Sequence, residues 1–277
     1  MKFKHSCARA LVRLINLALF LIFCVPCIYT ALAAEYYQHL SEGDLITFGR
    51  YEQDNDPSNG MEAITWRVLV IEDGRALLIS ESNLDCKAFN PEEGSYTWET
   101  CELRNWLNGE FSNTAFTEKE REVILTVILK NDDNPKYGTD GGEDTQDQIF
   151  LLSIAEAQEY FRDDDARQAQ NTAYAKAQGA YEEDGFGGWW LRSPGDRESY
   201  AATVNGTGSV RRGGRGAHKA DRATRPALWV NGQQLLSIVN GQGKEQSTFS
   251  TNGIPAPFDV PIDAIASNTT ISDSQFI

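Results

Sequence analysis

Two β-rich regions at opposite ends of the chain constrain its fold more than any other sequence feature. Short apolar runs, separated by turn residues, form one set near the N-terminus and a second set after a glycine-rich break at 185–188. Strands are predicted at 44–48, 64–71, 75–80, 189–192, 200–204 and 226–230. We therefore expect an N-terminal β-meander and a C-terminal β-meander.

The segment between the two β-rich regions carries helix signals. Capping boxes at 117–120 and 153–156 predict two helix starts. Apolar residues at helical spacing in 103–107 predict another helix, with Gly109 at its C-terminal cap. A further short helix is expected within 163–181. The predicted fold class is α+β, with short helices in the middle of a single globular domain at 41–232.

The N-terminus has the pattern of an export signal. Four cationic residues precede an apolar run at 14–28, and small residues follow at 31–34. We predict a signal peptide at 1–33, cleaved between Ala33 and Ala34, and a secreted, cell-surface or periplasmic protein. The alternative is an uncleaved anchor. With the leader removed, no membrane span is expected. The polar residues 233–277 are predicted to form a loosely ordered tail.

The chain is acidic, and this restricts its partners. Its formal charge is −15, and loss of the leader, which has four cationic and no acidic residues, takes it to −19. Such a surface disfavours nucleic acid and anionic membranes as general partners. The 41% hydrophobic content is sufficient for a core.

Two cysteines, Cys86 and Cys101, lie outside the leader. An even pair in an oxidising compartment predicts a disulfide, which would be worth roughly 3 kcal/mol for a loop of this length. The alternative is a redox-active or metal-binding thiol pair.

A tryptophan-rich motif and an arginine-containing ending mark the C-terminal half. The run Trp189–Gly195 reads WWLRSPG, and residues 225–229 read RPALW. The chain resembles an uncharacterised family of bacterial exported domains with a WWLRSPG…VRPALW signature, over about residues 43–231. It departs from that signature at Thr224, where the family usually has valine, and the preceding loop is unusually basic.

The resemblance implies a fold. The family is distantly similar to C-type-lectin-like domains in their formylglycine-generating-enzyme-like version, in which a C-terminal meander rich in Trp and Arg also ends in an Arg-containing strand. A C-type-lectin-like domain is therefore expected here. The oxidase activity of that group would need a cysteine-based site in the C-terminal half, which has no cysteine.

The usual catalytic motifs are missing from residues 34–277. Only His39 and His218 could serve a nucleophilic triad, and neither lies in a nucleophile motif. No zinc spacing, phosphate loop or dinucleotide fingerprint occurs there. A secreted enzyme of undetermined reaction is therefore the alternative rather than the leading hypothesis, and no cofactor other than calcium is expected.

Calcium is the metal that the acidic segments favour, since clustered hard oxygen ligands suit it. The first candidate is the spacing Asp54-x-Asp56-x-Ser58, and the alternative there is a hairpin turn. The second candidate set comprises Asp140, Glu143, Asp144 and Asp147. Its alternative is a loop that leads into a helix or strand.

A reversal of charge marks the best candidate for ligand binding. Between residues 189 and 230, eight cationic side chains face three acidic ones within an otherwise acidic chain. A glycine-rich loop at 211–216 offers backbone N–H groups and guanidinium groups to an anion. The predicted ligand-binding residues are Arg211, Arg212, Arg215, His218, Lys219 and Arg222.

These patterns favour an extracellular or cell-envelope binding module. Its C-terminal loops would contact a protein or an anionic glycan, and nucleic acid is not expected as a partner. Three alternatives stay open at this point. The basic loop could pair with the protein's own acidic surface, the protein could be a secreted enzyme, or it could be a structural envelope protein.

Overall fold

A computed structural model describes residues 40–241 of the chain. The predicted signal peptide, its cleavage site at Ala33 and Ala34, His39 and the part of the predicted tail after residue 241 lie outside the described residues. The fold is mixed α+β, mostly antiparallel strands with a few short helices. No helix within the described part is long and apolar enough to cross a membrane.

The first sheet joins the two ends of the folded chain. Its strands, numbered along the chain, are β1 (Leu45–Tyr51), β2 (Glu62–Glu72), β3 (Arg75–Ser80), β7 (Ile149–Phe150) and β14 (Ala227–Asn231). They lie in the order β1-β2-β3-β14-β7, and every neighbouring pair is antiparallel. The N-terminal meander is confirmed, and the C-terminal strand β14 extends it.

The second sheet carries the tryptophan-rich motif. Its strands are β4 (Asp85–Cys86), β10 (Trp189–Pro194), β11 (Tyr200–Val204), β12 (Val210–Gly216) and β13 (Ala223–Thr224). Their order is β12-β11-β10-β13-β4. The β10–β13 pair is parallel, and the other pairs are antiparallel.

Short elements connect the sheets. The helices are α1 (Glu102–Trp106), α2 (Ser112–Ala115), α3 (Glu118–Arg121), α4 (Ile154–Glu159), α5 (Asp164–Arg167) and α6 (Ala173–Ala177). Two-stranded pairs are formed by β5 (Val127–Leu129) with β6 (Thr145–Asp147), and by β8 (Glu182–Glu183) with β9 (Phe186–Gly187). The capping boxes before α3 and α4 are confirmed.

The predicted helix end at Gly109 is wrong. The chain continues from α1 through a π-helical turn, Leu107–Phe111, into α2. Leu107 and Phe111 of that turn are buried, so core packing holds the helix through the glycine.

The fold also extends beyond the predicted boundary at 232. Residues Gly232–Gly241 form a helix, α7. Leu235, Leu236 and Val239 are buried, and this spacing gives the helix one apolar face. The first residues of the predicted loose tail therefore belong to the folded domain.

Both tryptophans of the WWLRSPG motif are fully buried, although neighbouring side chains in a strand point to opposite faces. Trp189 packs near Phe161, and Trp190 packs near Phe89. Other parts of the chain therefore pack against both faces of β10.

Arg225 is buried where the chain passes from β13 in the second sheet to β14 in the first. Its Nε donates to the carbonyl oxygen of Ser80 at 2.9 Å. Its two terminal nitrogens donate to the carbonyl oxygens of Arg167 and Glu81. The guanidinium also lies 5.2 Å from the centre of the Trp189 ring. Burial lowers the pKa of Arg225 to about 10, so the group stays cationic at neutral pH.

The predicted Cys86–Cys101 disulfide is not formed, and both cysteines are free and buried. Cys86 lies in β4, which pairs with β13, and its thiol contacts the carbonyl oxygen of Arg222 at 3.4 Å. Cys101 lies at the start of α1, and its thiol contacts the carbonyl oxygen of Trp98 at 3.4 Å. Separate elements thus hold the two thiols against backbone acceptors.

Arg225 provides a test of the connection between the sheets. We expect Arg225→Met to lower the free energy of unfolding by about 3 kcal/mol or more, because three carbonyl oxygens lose their donor. Denaturant unfolding followed by tryptophan fluorescence measures the change. Arg197→Met is the matched control, since that side chain is 61% exposed, and should change the free energy by less than about 0.5 kcal/mol. Equal effects at the two positions would contradict the structural role of Arg225.

The thiols give a second test. Burial raises the pKa of both Cys86 and Cys101 to about 12, so very little reactive thiolate forms at neutral pH. We expect slow alkylation of the native protein and rapid labelling of both thiols in denaturant without reductant. Mass spectrometry counts the labels. If the denatured protein takes up label only after reduction, the two cysteines form a disulfide and the prediction of free thiols is wrong.

Candidate functional site

The predicted basic loop is largely a β-strand. Residues 210–216 form β12, an edge strand that pairs with β11. The pairing is irregular. Arg211 pairs with Thr203 and Arg215 pairs with Ala201, so four residue steps along β12 lie opposite two steps along β11. Gly214 permits this bulge with a φ of +69°, a conformation that L side chains rarely adopt.

Beside this strand lies a cavity of about 340 Å³, here called the arginine cavity. Four segments that are distant in sequence contribute to it: the β8 hairpin, the start of β10, the β11–β12 turn, and β12 with the residues before β13. The lining residues are Tyr181, Glu183, Gly188, Asn205, Gly206, Arg211, Arg215, Asp221 and Arg222. The structure thus brings together three of the six predicted ligand-binding residues.

Asp221 holds two of the three arginines. Its carboxylate accepts hydrogen bonds from Arg215, including one from Nε at 3.3 Å. Arg222 lies 3.5 Å from the same carboxylate and donates to the carbonyl oxygen of Asp221 at 3.0 Å. Among the described residues Arg211 has no ion-pair partner, and it is exposed. Asp221 therefore binds two of the three cationic groups, and Glu183 is the second carboxylate in the lining.

Arg222 is the most deeply placed of the three arginines. Burial lowers its pKa; Asp221 opposes that shift, while Arg215 and Arg211 add to it. The Nε of Arg222 is buried without any hydrogen-bond partner among the described residues. Gly188 makes room for this side chain, since a Cβ there would lie 3.2 Å from Cδ of Arg222.

An aromatic ring borders the cavity. The guanidinium of Arg222 lies 5.7 Å from the centre of the Tyr181 ring. Tyr181 is 56% exposed, so much of its surface faces solvent beside the arginines. The cavity therefore combines cationic donors with an accessible aromatic ring.

The other three predicted ligand-binding residues lie outside the arginine cavity. Arg212 lines a different cavity. His218 is partly buried and lies 3.4 Å from the carboxylate of Glu93. Lys219 is exposed. Because side chains alternate along a strand, Arg212 diverges from Arg211 although the two are adjacent in sequence.

The second calcium candidate set does not converge. Asp147 is buried and accepts hydrogen bonds from Trp98 and Arg104. Asp144 is paired with Lys130, and an oxygen of Asp140 accepts a hydrogen bond from the amide of Gly142. Glu143 is exposed. Asp144 and Asp147 serve different interactions, so these four residues do not form one metal site.

The first calcium candidate is also rearranged. Asp56 accepts hydrogen bonds from the amide and hydroxyl of Ser58, as in a turn. Asp54 instead lies near Glu52 and Glu62; these three are the one group of possible metal ligands found close together in the described part of the chain. Backbone amides already donate to oxygens of all three.

Sequence reasoning missed several residues of the cavity. Tyr181 ends the segment predicted to contain a short helix, and Glu183 lies between that segment and the glycine-rich break; neither is among the predicted ligand-binding residues. Asn205 and Gly206 form the turn between β11 and β12. Tyr181 alone carried a signal, as an aromatic residue in a polar, glycine-rich stretch.

The cavity is suited to binding an anion. Its lining contains the cationic donors of three arginines and amide donors, together with the carboxylates of Glu183 and Asp221. Guanidinium groups bind carboxylate, sulfate and phosphate oxygens with paired donors.

Comparison with known proteins gives one match. A family model described as a domain of unknown function, DUF6273, matches residues 73–232. This range contains every residue of the arginine cavity. No curated protein and no solved structure matches the chain.

The bulge in β12 can be tested with two neighbouring glycines. We expect Gly214→Ala to lower stability by about 1–3 kcal/mol, because of its positive φ and because its Cβ would lie 2.0 Å from the carbonyl oxygen of Ala201. Gly213→Ala is the matched control, since its Cβ would meet no atom closer than 3.6 Å. Thermal unfolding measures both, and a similar loss at Gly213 would argue against the bulge.

Proposed function

The chain belongs to the DUF6273 family of unknown function, and we propose that it is an extracellular or cell-envelope binding module that takes an anionic ligand in its arginine cavity. One observation carries the proposal. The cavity has more cationic donors than bound acceptors, and the buried Nε of Arg222 has no partner. A buried donor without an acceptor is costly, and an anion bound at the other nitrogens of this guanidinium would stabilise its charge.

The ligand class follows from the shape and the lining. A volume of about 340 Å³ lies at the lower end of the range for small-molecule pockets, which is about 300–1,000 Å³. The exposed ring of Tyr181 offers a face for an apolar sugar surface, and the arginines offer donors to its acidic group. We therefore propose an acidic sugar unit of an anionic glycan. An acidic side chain of a protein partner is the alternative.

Two further parts of the proposal rest on the sequence. The cationic and apolar leader supports export, which would place the cavity outside the cytoplasm. The resemblance to C-type-lectin-like domains would give an α+β fold with C-terminal loops at the ligand, in keeping with a cavity formed largely by residues 181–222.

The central test uses Arg211, which is exposed and makes no ion pair with the described residues. We expect Arg211→Ala to weaken binding of an acidic oligosaccharide by about tenfold or more, the loss of one charge-assisted contact worth about 1.5–3 kcal/mol. Titration calorimetry against a sulfated or uronic-acid oligosaccharide measures the change. Binding should also weaken as salt is raised.

Arg197→Ala is the control for Arg211→Ala, because Arg197 is exposed, pairs with Asp196 and lies outside the cavity. The neutral parent oligosaccharide controls for the charge of the ligand. Equal binding of the neutral and acidic sugars, or no effect of Arg211→Ala, would refute the proposal. Binding of an acidic peptide, but not of the sugars, would favour a protein partner.

A further inference from the structure

A second cavity, of about 450 Å³, is lined in part by Arg212 of β12 and is here called the Arg212 groove. It shares no lining residue with the arginine cavity. Its lining residues are Asp132, Asp133, Pro135, Lys136, Ser153, Ile154, Ala155, Gln158, Ser193 and Arg212. They come from the 132–136 loop, from α4 and the residue before it, from the end of β10, and from β12.

The loop that forms one wall is held in place by a buried amide. The Nδ2 of Asn134 donates to the carbonyl oxygens of Pro194, Gly195 and Arg212, at 2.7–3.1 Å. Its Oδ1 accepts from the amides of Lys136 and Tyr137. Asn134 thereby fixes the loop that carries Asp132, Asp133 and Lys136 against the end of β10 and against β12, so the groove is preorganised.

Ser193 provides a buried polar group among the lining residues. The residue is 8% exposed. Its hydroxyl oxygen accepts a hydrogen bond from the amide of Ile154 at 3.0 Å, and no described residue accepts the hydroxyl proton. A buried donor of this kind in the lining of a cavity favours a ligand that brings an acceptor.

The groove also holds charges of both signs and apolar surface. Arg212 and Lys136 are cationic, Asp132 and Asp133 are anionic, and Arg212 forms no ion pair with any described residue. Pro135 and Ala155, which are both exposed, supply apolar groups. A ligand that matches this lining carries an anion, a cation and an apolar side chain.

We propose that the Arg212 groove binds an α-amino acid or short peptide as a zwitterion, with an apolar side chain. The carboxylate would accept from Arg212 and from the hydroxyl of Ser193. The ammonium group would lie near Asp132 and Asp133. This proposal does not depend on the function proposed for the arginine cavity.

Titration calorimetry of the protein with leucine and with leucyl-leucine tests the proposal and distinguishes a free amino acid from a short peptide as the ligand. N-acetyl-leucyl-leucine lacks the ammonium group, and leucyl-leucinamide lacks the carboxylate. We expect leucine, leucyl-leucine or both to bind. The capped forms of the dipeptide should bind at least tenfold more weakly than the dipeptide itself. If only leucine binds, the capped forms of leucine should bind at least tenfold more weakly than leucine. Arg212→Gln should raise the Kd at least tenfold.

Arg211→Gln is the matched control, since it alters the neighbouring arginine that lines the other cavity, and it should change the Kd by less than about twofold. Circular dichroism of both variants checks folding, and Lys136→Gln provides a second cation to test if Arg212→Gln fails to fold. No binding of either zwitterion at millimolar concentration would overturn the proposal. Equal binding of the capped forms, or an unchanged Kd for Arg212→Gln, would overturn it as well.

Discussion

The two sheets depend on a buried guanidinium at the point where the chain crosses between them. Arg225 separates β13 from β14, and its three nitrogens bind the carbonyl oxygens of Ser80, Glu81 and Arg167. Its charge is stabilised by carbonyl dipoles and by the face of Trp189 rather than by direct contact with a carboxylate. Because a buried cation is costly unless its donors are satisfied, this arrangement leaves little freedom in how the sheets are connected.

The arginine cavity follows from this crossing. The amide of Ala223, at the start of β13, donates to the carbonyl oxygen of Gly188 at 2.8 Å, which holds the chain before the crossing beside β10. Asp221 and Arg222 immediately precede that contact. The contact between β13 and β10 therefore fixes the position of Asp221 and Arg222 in the cavity. The edge strand β12 supplies Arg211 and Arg215.

Strands with local sequence signals could be predicted, whereas a strand that forms only by pairing with a neighbouring strand could not. The strands at 75–80 and 200–204 have their predicted bounds, because short apolar runs between turn residues define them. The strand at 210–216 was expected to be a loop, since Gly and Arg have little intrinsic strand preference; the free edge of β11 supplies its hydrogen bonds. Charge clustering found Arg211, but the neighbouring Tyr181 is brought there only by tertiary packing.

The pairing of Asp221 with Arg215 and Arg222 means that the arginine cavity already contains an anion of its own. An incoming acidic group would exchange with that carboxylate or share the guanidinium groups with it, rather than enter a site free of negative charge. Part of the electrostatic free energy gained from the ligand would then only offset the loss of the contacts between Asp221 and the arginines. The affinity for a ligand with a single acidic group would therefore be modest. Ligands that present several acidic groups in succession would be favoured, because they offer one cavity several groups that can bind in turn.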